Sequence, residues 1–206
     1  MVRNRSLLLL EQADWGMDTS MIQGLKDWKY YPLLQEAIET LNLDALYRSP
    51  IHGSGHINRV LLMAGLIAWQ EDLSQEDVRQ YFRAAAYHDV GRVFDGLDLT
   101  HGARSAEKLA ALTGVEGEPL RELKGAVAAH SQPDALLEEI VAEYQPANMD
   151  RALELARLLK DADNLDRVRL GDLDPKFLRH SSAQSLADFS YRLLERDQAL
   201  KAQLSY

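Results

Sequence analysis

The 206-residue sequence contains no cysteine. That absence excludes disulfides, thiolate metal sites and cysteine nucleophiles together, so any metal must be held by nitrogen and oxygen. Long apolar runs are missing too. The leucine run Leu7 to Leu10 stops at Glu11 and Gln12, far short of a membrane span. With the basic start Met1-Val2-Arg3-Asn4-Arg5 it makes a poor signal peptide, because the apolar part is short and no small-residue cleavage site follows. A cytoplasmic location is therefore expected. Excess positive charge is also absent: 23 Lys and Arg stand against 32 Asp and Glu, for a net charge of -9. Such a balance argues against binding a nucleic-acid polymer through its backbone. A small phosphorylated substrate stays open, since bound cations invert the local field. No membrane partner is expected, and the sequence does not set the oligomeric state. No segment alternates with period two for long enough to be a strand, and no repeat, low-complexity tract or linker is visible.

What is present, 46% hydrophobic and 27% charged residues, suits one globular domain over 1–206 with a substantial core. Helical spacing runs almost throughout, so the expected fold class is all-α. Leu7 to Lys29 reads as one or two short helices, Tyr30-Tyr31-Pro32 as a break, and Leu33 to Leu46 as a helix. After the loop Ser49 to Gly55, a helix to about Gln70 carries His56, Val60, Met63 and Ile67 on one side. Ser74-Gln75-Glu76-Asp77 has the form of a capping box for a helix over Gln75 to His88. Thr100 caps a helix with His101 in its first turn. Pro119 opens one that carries Leu123, Val127 and His130 and stops before Pro133. Ala135 to Tyr144 is a shorter helix. Asp150 begins a long one in which Ala152, Ala156, Leu159 and Asp163 share a stripe. Leu170 to Arg179 is a connector, and Ser185 to Leu204 forms a final amphipathic helix.

The chemistry gathers at the inward ends of these helices. Tyr87-His88-Asp89-Val90-Gly91-Arg92 closes a core helix with two polar side chains that are costly to bury unpaired. An isolated His-Asp pair is ordinarily a hydrogen-bonded helix end. Here His56, His101, His130 and Asp163 also occupy inward or terminal positions on separate helices, and a shared divalent cation accounts for the whole set.

Taken in order, His56, His88-Asp89 and Asp163 resemble the HD-domain metal-dependent phosphohydrolases. So do the surrounding residues His56-Ile57-Asn58-Arg59-Val60, Tyr87 to Arg92 and Lys160-Asp161-Ala162-Asp163-Asn164-Leu165-Asp166-Arg167. The resemblance covers about Ile51 to Arg179. It implies a helical bundle, with N- and C-terminal helices packed on that core, and a metal bound by His56, His88, Asp89 and Asp163. His101 and His130 fall where binuclear members place ligands for a second metal, with Asp89 as the bridge. The His-His pair and Gly-Tyr-Pro signature of cyclic-dinucleotide phosphodiesterases are missing, since Ser131 follows His130.

The resemblance implies hydrolysis by metal-activated water of a phosphomonoester or phosphodiester in a nucleotide or nucleotide-like small molecule. Nitrogen and carboxylate ligands suit one or two Mn, Fe, Co, Ni or Zn ions better than Mg. Arg59 and Arg92 are placed to reach a phosphate oxygen, and the alternative for each is an ordinary ion pair. Arg104, Lys160, Arg167 and Arg169 are weaker substrate-binding candidates. His52 either donates a proton to the leaving group, orients a ligand, or sits exposed in its loop. Asp161 and Asp166 are expected behind the ligands or at the surface, and His180 is expected to be exposed. Two rival readings remain. The opening His52 to Val60 is also similar to SidE-type effector phosphodiesterases, which act on a phosphoribosyl or ADP-ribosyl linkage, and a non-catalytic nucleotide- or metal-binding sensor would keep the same pocket without turnover.

Overall fold

The computed structural model describes residues 5–12 and 14–204. Most of the basic start, Met1 to Asn4, lies outside them. Helices dominate, and no strand forms among the described residues. In chain order they are α1 (Arg5–Leu10), α2 (Thr19–Asp27), α3 (Tyr31–Glu39), α4 (Ser54–Gln70), α5 (Gln75–Tyr87), α6 (His101–Thr113), α7 (Gly117–Ala129), α8 (Leu137–Glu143), α9 (Met149–Leu165), α10 (Ser181–Ser185) and α11 (Ala187–Leu204). Short 3-10 turns fill several connections, including Asp166–Leu170 directly after α9. No helix among the described residues is long and apolar enough to cross a membrane.

Helix α4 is the axis of the bundle. Its residues from His56 to Ala68 are buried on every side, which is why its sequence is apolar nearly all round and not a narrow stripe. It packs against α5 and α9, while α7 packs against α6, α8 and α9. α1 and α11 lie against each other and against α4, so their buried residues, Leu9, Leu10, Phe189 and Leu193 among them, join the same apolar cluster as the central helices.

Helix starts follow the local chemistry. The Ser74 hydroxyl accepts the Asp77 N–H at 3.3 Å, the N-cap half of a capping box, and donates to the Asp77 carboxylate, which takes that hydroxyl as its donor in place of the Ser74 amide. Asn148 caps α9 by accepting the Arg151 N–H at 3.1 Å. Two starts differ from expectation. α7 begins at Gly117, ahead of Pro119, and Thr100 spends its hydroxyl on Asp98 instead of capping α6. The helix expected over Leu33 to Leu46 starts at Tyr31, because Pro32 is tolerated in a first turn. It ends at Glu39, and a separate turn, Leu43–Ala45, starts under the Asn42 side chain.

Two glycines set the packing that matters for the site. A Cβ on Gly102 would lie 2.7 Å from the carbonyl oxygens of both Val127 and Ala128, so only glycine lets the start of α6 press against the end of α7. A Cβ on Gly91 would collide with the His101 carbonyl and the Ser105 amide. This close approach is sealed by Ser105 Oγ accepting the Gly91 N–H at 2.8 Å and by Arg104 Nε donating to the Gly91 carbonyl at 2.8 Å. The turn after the His88-Asp89 doublet is thereby clamped to α6.

Candidate metal centre

Four histidines reach the centre with one proton arrangement. His88 and His130 stand at the C-caps of α5 and α7, where carbonyls lack helical partners. Each turns its Nδ1–H back onto the carbonyl three residues earlier, His88 to Ala85 at 2.9 Å and His130 to Val127 at 2.5 Å. His101, at the start of α6, does the same to the Asp98 carbonyl. His56, in the first turn of α4, donates Nδ1–H to Asp166 at 2.7 Å. An oxygen acceptor at every Nδ1 fixes the tautomer and leaves each Nε2 with a bare lone pair.

Those lone pairs face one another. His56 Nε2 lies 3.1 Å from His88 Nε2, and His101 Nε2 lies 2.9 Å from His130 Nε2. Neither contact is a hydrogen bond, because neither nitrogen of a pair carries a proton. Asp89, 3% exposed, stands between the two pairs. Its Oδ1 is 3.0 Å from His101 and 3.8 Å from His130, and its Oδ2 is 3.5 Å from His56 and 3.9 Å from His88. Oδ2 is buried and has no hydrogen-bond partner. Asp163 Oδ1 completes the first group at 3.4 Å from His56 and 3.7 Å from His88.

These separations suit a divalent cation. Donor atoms about 2.1 Å from one ion lie about 3.0 Å apart at right angles and about 3.4 Å apart at the tetrahedral angle. Opposed lone pairs and an orphaned carboxylate oxygen are costly without a cation and favourable with one. The residues fit a metal in two compartments that share Asp89, one with His56, His88 and Asp163, the other with His101 and His130. Groups drawn from this cluster, together with His52, have ligand atoms close enough to hold an ion.

Electrostatics agree with that use. Burial, then the charge of Arg169, pushes His56 down to about 4. Burial likewise pushes His130 down to about 4, so both rings are neutral and able to ligate at neutral pH. For Asp89, burial works against ionisation but is outweighed by the charge of His88 and the contacts of His101 and His130, which hold the carboxyl well below the usual range. His88 is raised: burial opposes its charge, and Asp89 and Asp163 prevail.

A family model described as HD domain matches residues 53–168, more than half of the chain. The chain belongs to the HD-domain family. That family is one of metal-dependent phosphohydrolases, and the histidine-aspartate cluster lies inside the matched segment. No curated protein and no solved structure matches the chain.

The remaining candidates around the HD centre divide by where their donors go. Arg92 lines the cavity over the centre, with Nε on Asp89 Oδ1 at 2.9 Å. Arg167 lines the same cavity and pairs with Asp172. Arg59 does not face it. Its Nε and Nη2 donate to Asp166 at 2.6 and 3.0 Å and its Nη1 to Asp197 at 2.6 Å, so its role as a phosphate ligand is withdrawn and it braces the acid that holds His56. Arg104 is likewise spent, on Asp98, Thr100 and the Gly91 carbonyl. Lys160 is buried against the Gln132 carbonyl and against Asp134 at 3.0 Å. His52 is 6% exposed, not a solvent-facing loop residue. Its Nδ1 lies 3.2 Å from Arg169 Nη2 and 3.2 Å from Asp89 Oδ2.

Asp166 and Asp161 are buried rather than superficial. Asp161 accepts from the Arg179 and His180 amides and from His180 Nδ1 at 2.7 Å. His180 is thus a paired residue, contrary to expectation, with Glu154 at 2.9 Å on its other nitrogen. Two supports went unnoticed in the sequence. Asp98 anchors His101 through its carbonyl, and Asp197 reaches in from α11 to fix Arg59. Each is one acid among others nearby, with no local signal to mark it.

Proposed function

We propose that the chain is a metal-dependent phosphohydrolase that cleaves a phosphomonoester or phosphodiester of a nucleotide or nucleotide-like small molecule, with water as the nucleophile. The observation that supports this most is the Asp89 carboxylate with a pair of imidazole Nε2 lone pairs facing each oxygen, beside a cavity of about 350 Å³ lined by His101, His130 and Asp163. When bound, one or two divalent transition ions supply Lewis acidity there, lowering the pKa of water and polarising the phosphoryl group.

The chain's own residues supply position and protons. His56, His88, Asp89 and Asp163 would hold an ion in the first compartment, and Asp89 with His101 and His130 would hold one in the second. Arg92 keeps Nη2 free of partners among the described residues and presents it from the cavity wall to a phosphoryl oxygen. His52 serves as proton donor to the leaving oxygen. Its ring lines the cavity, with Nδ1 3.2 Å from both Arg169 Nη2 and Asp89 Oδ2.

The test is hydrolysis by purified protein loaded in turn with Mn, Fe, Co, Ni and Zn, assayed on an aryl phosphate and a broad nucleotide panel. Turnover that disappears in His88→Ala and Asp163→Asn supports the proposal. Silence with every metal and substrate rejects it, and tight nucleotide binding without turnover would place the protein among sensors. Release of a phosphoribosyl product from ADP-ribosylated protein would instead favour the phosphodiesterase reading.

A further inference from the structure

The cavity over the metal centre does not end there. A second, outer cavity of about 580 Å³ shares His130, Ser131, Asn164 and Arg167 with it, so whatever is attached to the reacting phosphoryl group has a place to extend. The outer cavity is rich in cations, which at first suggests further phosphates. Every one of them is already matched. Lys160 Nζ is 3.0 Å from Asp134, and Arg179 Nη2 donates to both oxygens of the same carboxylate at 2.6 and 2.8 Å. Arg179 Nη1 is also 2.9 Å from Asp161, and Arg167 is paired with Asp172. In the inner cavity Arg92 is held by Asp89. Asp174 adds a third carboxylate to the outer wall, where it caps the turn Pro175–Phe177. The neutral groups on these walls are Asn164 and the oxygens of Ser131 and Gln132, whose donors both go to the Leu99 carbonyl, with Phe177 67% exposed at the margin.

We infer that the substrate carries a single phosphoryl group on an uncharged, hydroxyl-bearing leaving group such as a nucleoside or sugar, and that polyphosphates are selected against. This rests on the phosphohydrolase reading above. A second or third phosphate would enter a wall whose three cations are each paired with a carboxylate and where Asp174, bonded to the Lys176 amide, adds a further negative charge, and like charges at short range are costly wherever water is partly excluded. Sugar hydroxyls, by contrast, donate to those carboxylates and amide oxygens with no charge to neutralise. In the reaction the water oxygen bonds to phosphorus as the phosphorus–oxygen ester bond breaks. The leaving oxygen takes up a proton, and the products are inorganic phosphate and the alcohol.

The experiment compares kcat/KM for adenosine mono-, di- and triphosphate, ribose 5-phosphate and ethyl phosphate, with free manganese held constant and products resolved by chromatography. Calorimetry of the manganese-loaded protein with inorganic phosphate and with tripolyphosphate supplies a readout independent of turnover. The two hydroxyl-bearing monophosphates are expected to exceed the di- and triphosphate, and ethyl phosphate, by at least tenfold, and phosphate is expected to bind at least as tightly as tripolyphosphate. Asp172→Asn, a change at a side chain 50% exposed, frees Arg167 and should raise the triphosphate-to-monophosphate ratio of kcat/KM at least threefold. Triphosphate cleaved as well as monophosphate, tighter tripolyphosphate binding, or a ratio unmoved by Asp172→Asn overturns the inference while the phosphohydrolase reading stands. No cleavage of any phosphate compound overturns both.

Discussion

Replacing Asp166 with asparagine should damage the metal centre without touching a metal ligand. The Asp166 carboxylate accepts from His56 Nδ1 at 2.7 Å and from Arg59 at 2.6 and 3.0 Å, all within a buried cluster. An amide has one acceptor oxygen, so its NH2 must face either the His56 N–H or the Arg59 guanidinium. If it faces the histidine, the imidazole proton moves to Nε2 and the lone pair aimed at the cation is lost. If it faces Arg59, His56 keeps its tautomer but loses the negative charge that strengthens it as a ligand. Loss of such a support costs about 10- to 100-fold in metal affinity. Breaking a buried ion pair costs about 3–5 kcal/mol, and Asp197 still neutralises Arg59, so about 3 kcal/mol is expected. For a chain of this size that lowers Tm by about 6–12 °C. The control is Asp197→Asn, which removes a different bond to Arg59 and leaves His56 and Asp166 as they are. It should cost about 1–2 kcal/mol and change metal affinity by less than about threefold. Thermal unfolding of the metal-free proteins measures the first quantity, and competition with a chelating dye measures the second. Equal losses of metal affinity in the two variants would refute the claim that Asp166 acts through the His56 tautomer.

Other consequences follow from the same geometry. Gly102→Ala places a methyl group 2.7 Å from two carbonyl oxygens at the α6–α7 contact. It should destabilise the protein by about 1–3 kcal/mol by chemical denaturation and separate His101 from His130, lowering metal stoichiometry by elemental analysis. His180 is raised to about 9 by its bond to Asp161, then by Glu154, against an ordinary value of 6.5. Its contribution is complete below pH 6.5 and is lost as pH rises through about 9, and a partly solvated pair of this kind contributes about 1–2 kcal/mol. Wild-type protein should therefore lose that much more stability than His180→Ala between pH 6 and pH 9.5, measured by urea denaturation at each pH. Metal at 100 times its dissociation constant should add about 2.7 kcal/mol, or about 5–11 °C in Tm, and a chelator should remove the gain.

The fold was largely legible because its signals are local. Period-3.6 stripes locate α4, α5 and α9 to within a residue or two, and the Ser74 cap stands where the Ser-x-x-acid pattern places it. Histidines at helix ends were conspicuous because imidazole is a poor core side chain unless something pairs with it. The arginines were not legible. Arg59 follows His56 by less than one turn and so lies near it, but the direction of its guanidinium is decided by Asp197, which is 138 residues away and belongs to a helix with no marked acidic position. His52 was ambiguous for a similar reason. Its burial depends on the Arg169 side chain, which holds both the Ile51 carbonyl at 3.1 Å and the imidazole itself. Pairing between distant polar groups leaves no periodic trace in a sequence, whereas apolar burial does.

The most direct measurement is an anomalous-difference map from crystals grown with manganese or cobalt, recorded on either side of the metal absorption edge. The expected result is two peaks about 3.5–4 Å apart. One should touch His56, His88 and Asp163, the other His101 and His130, with one oxygen of Asp89 on each. A map with no peak among these side chains, or with its metal bound only elsewhere on the surface, would contradict the idea that the opposed imidazoles exist to hold cations.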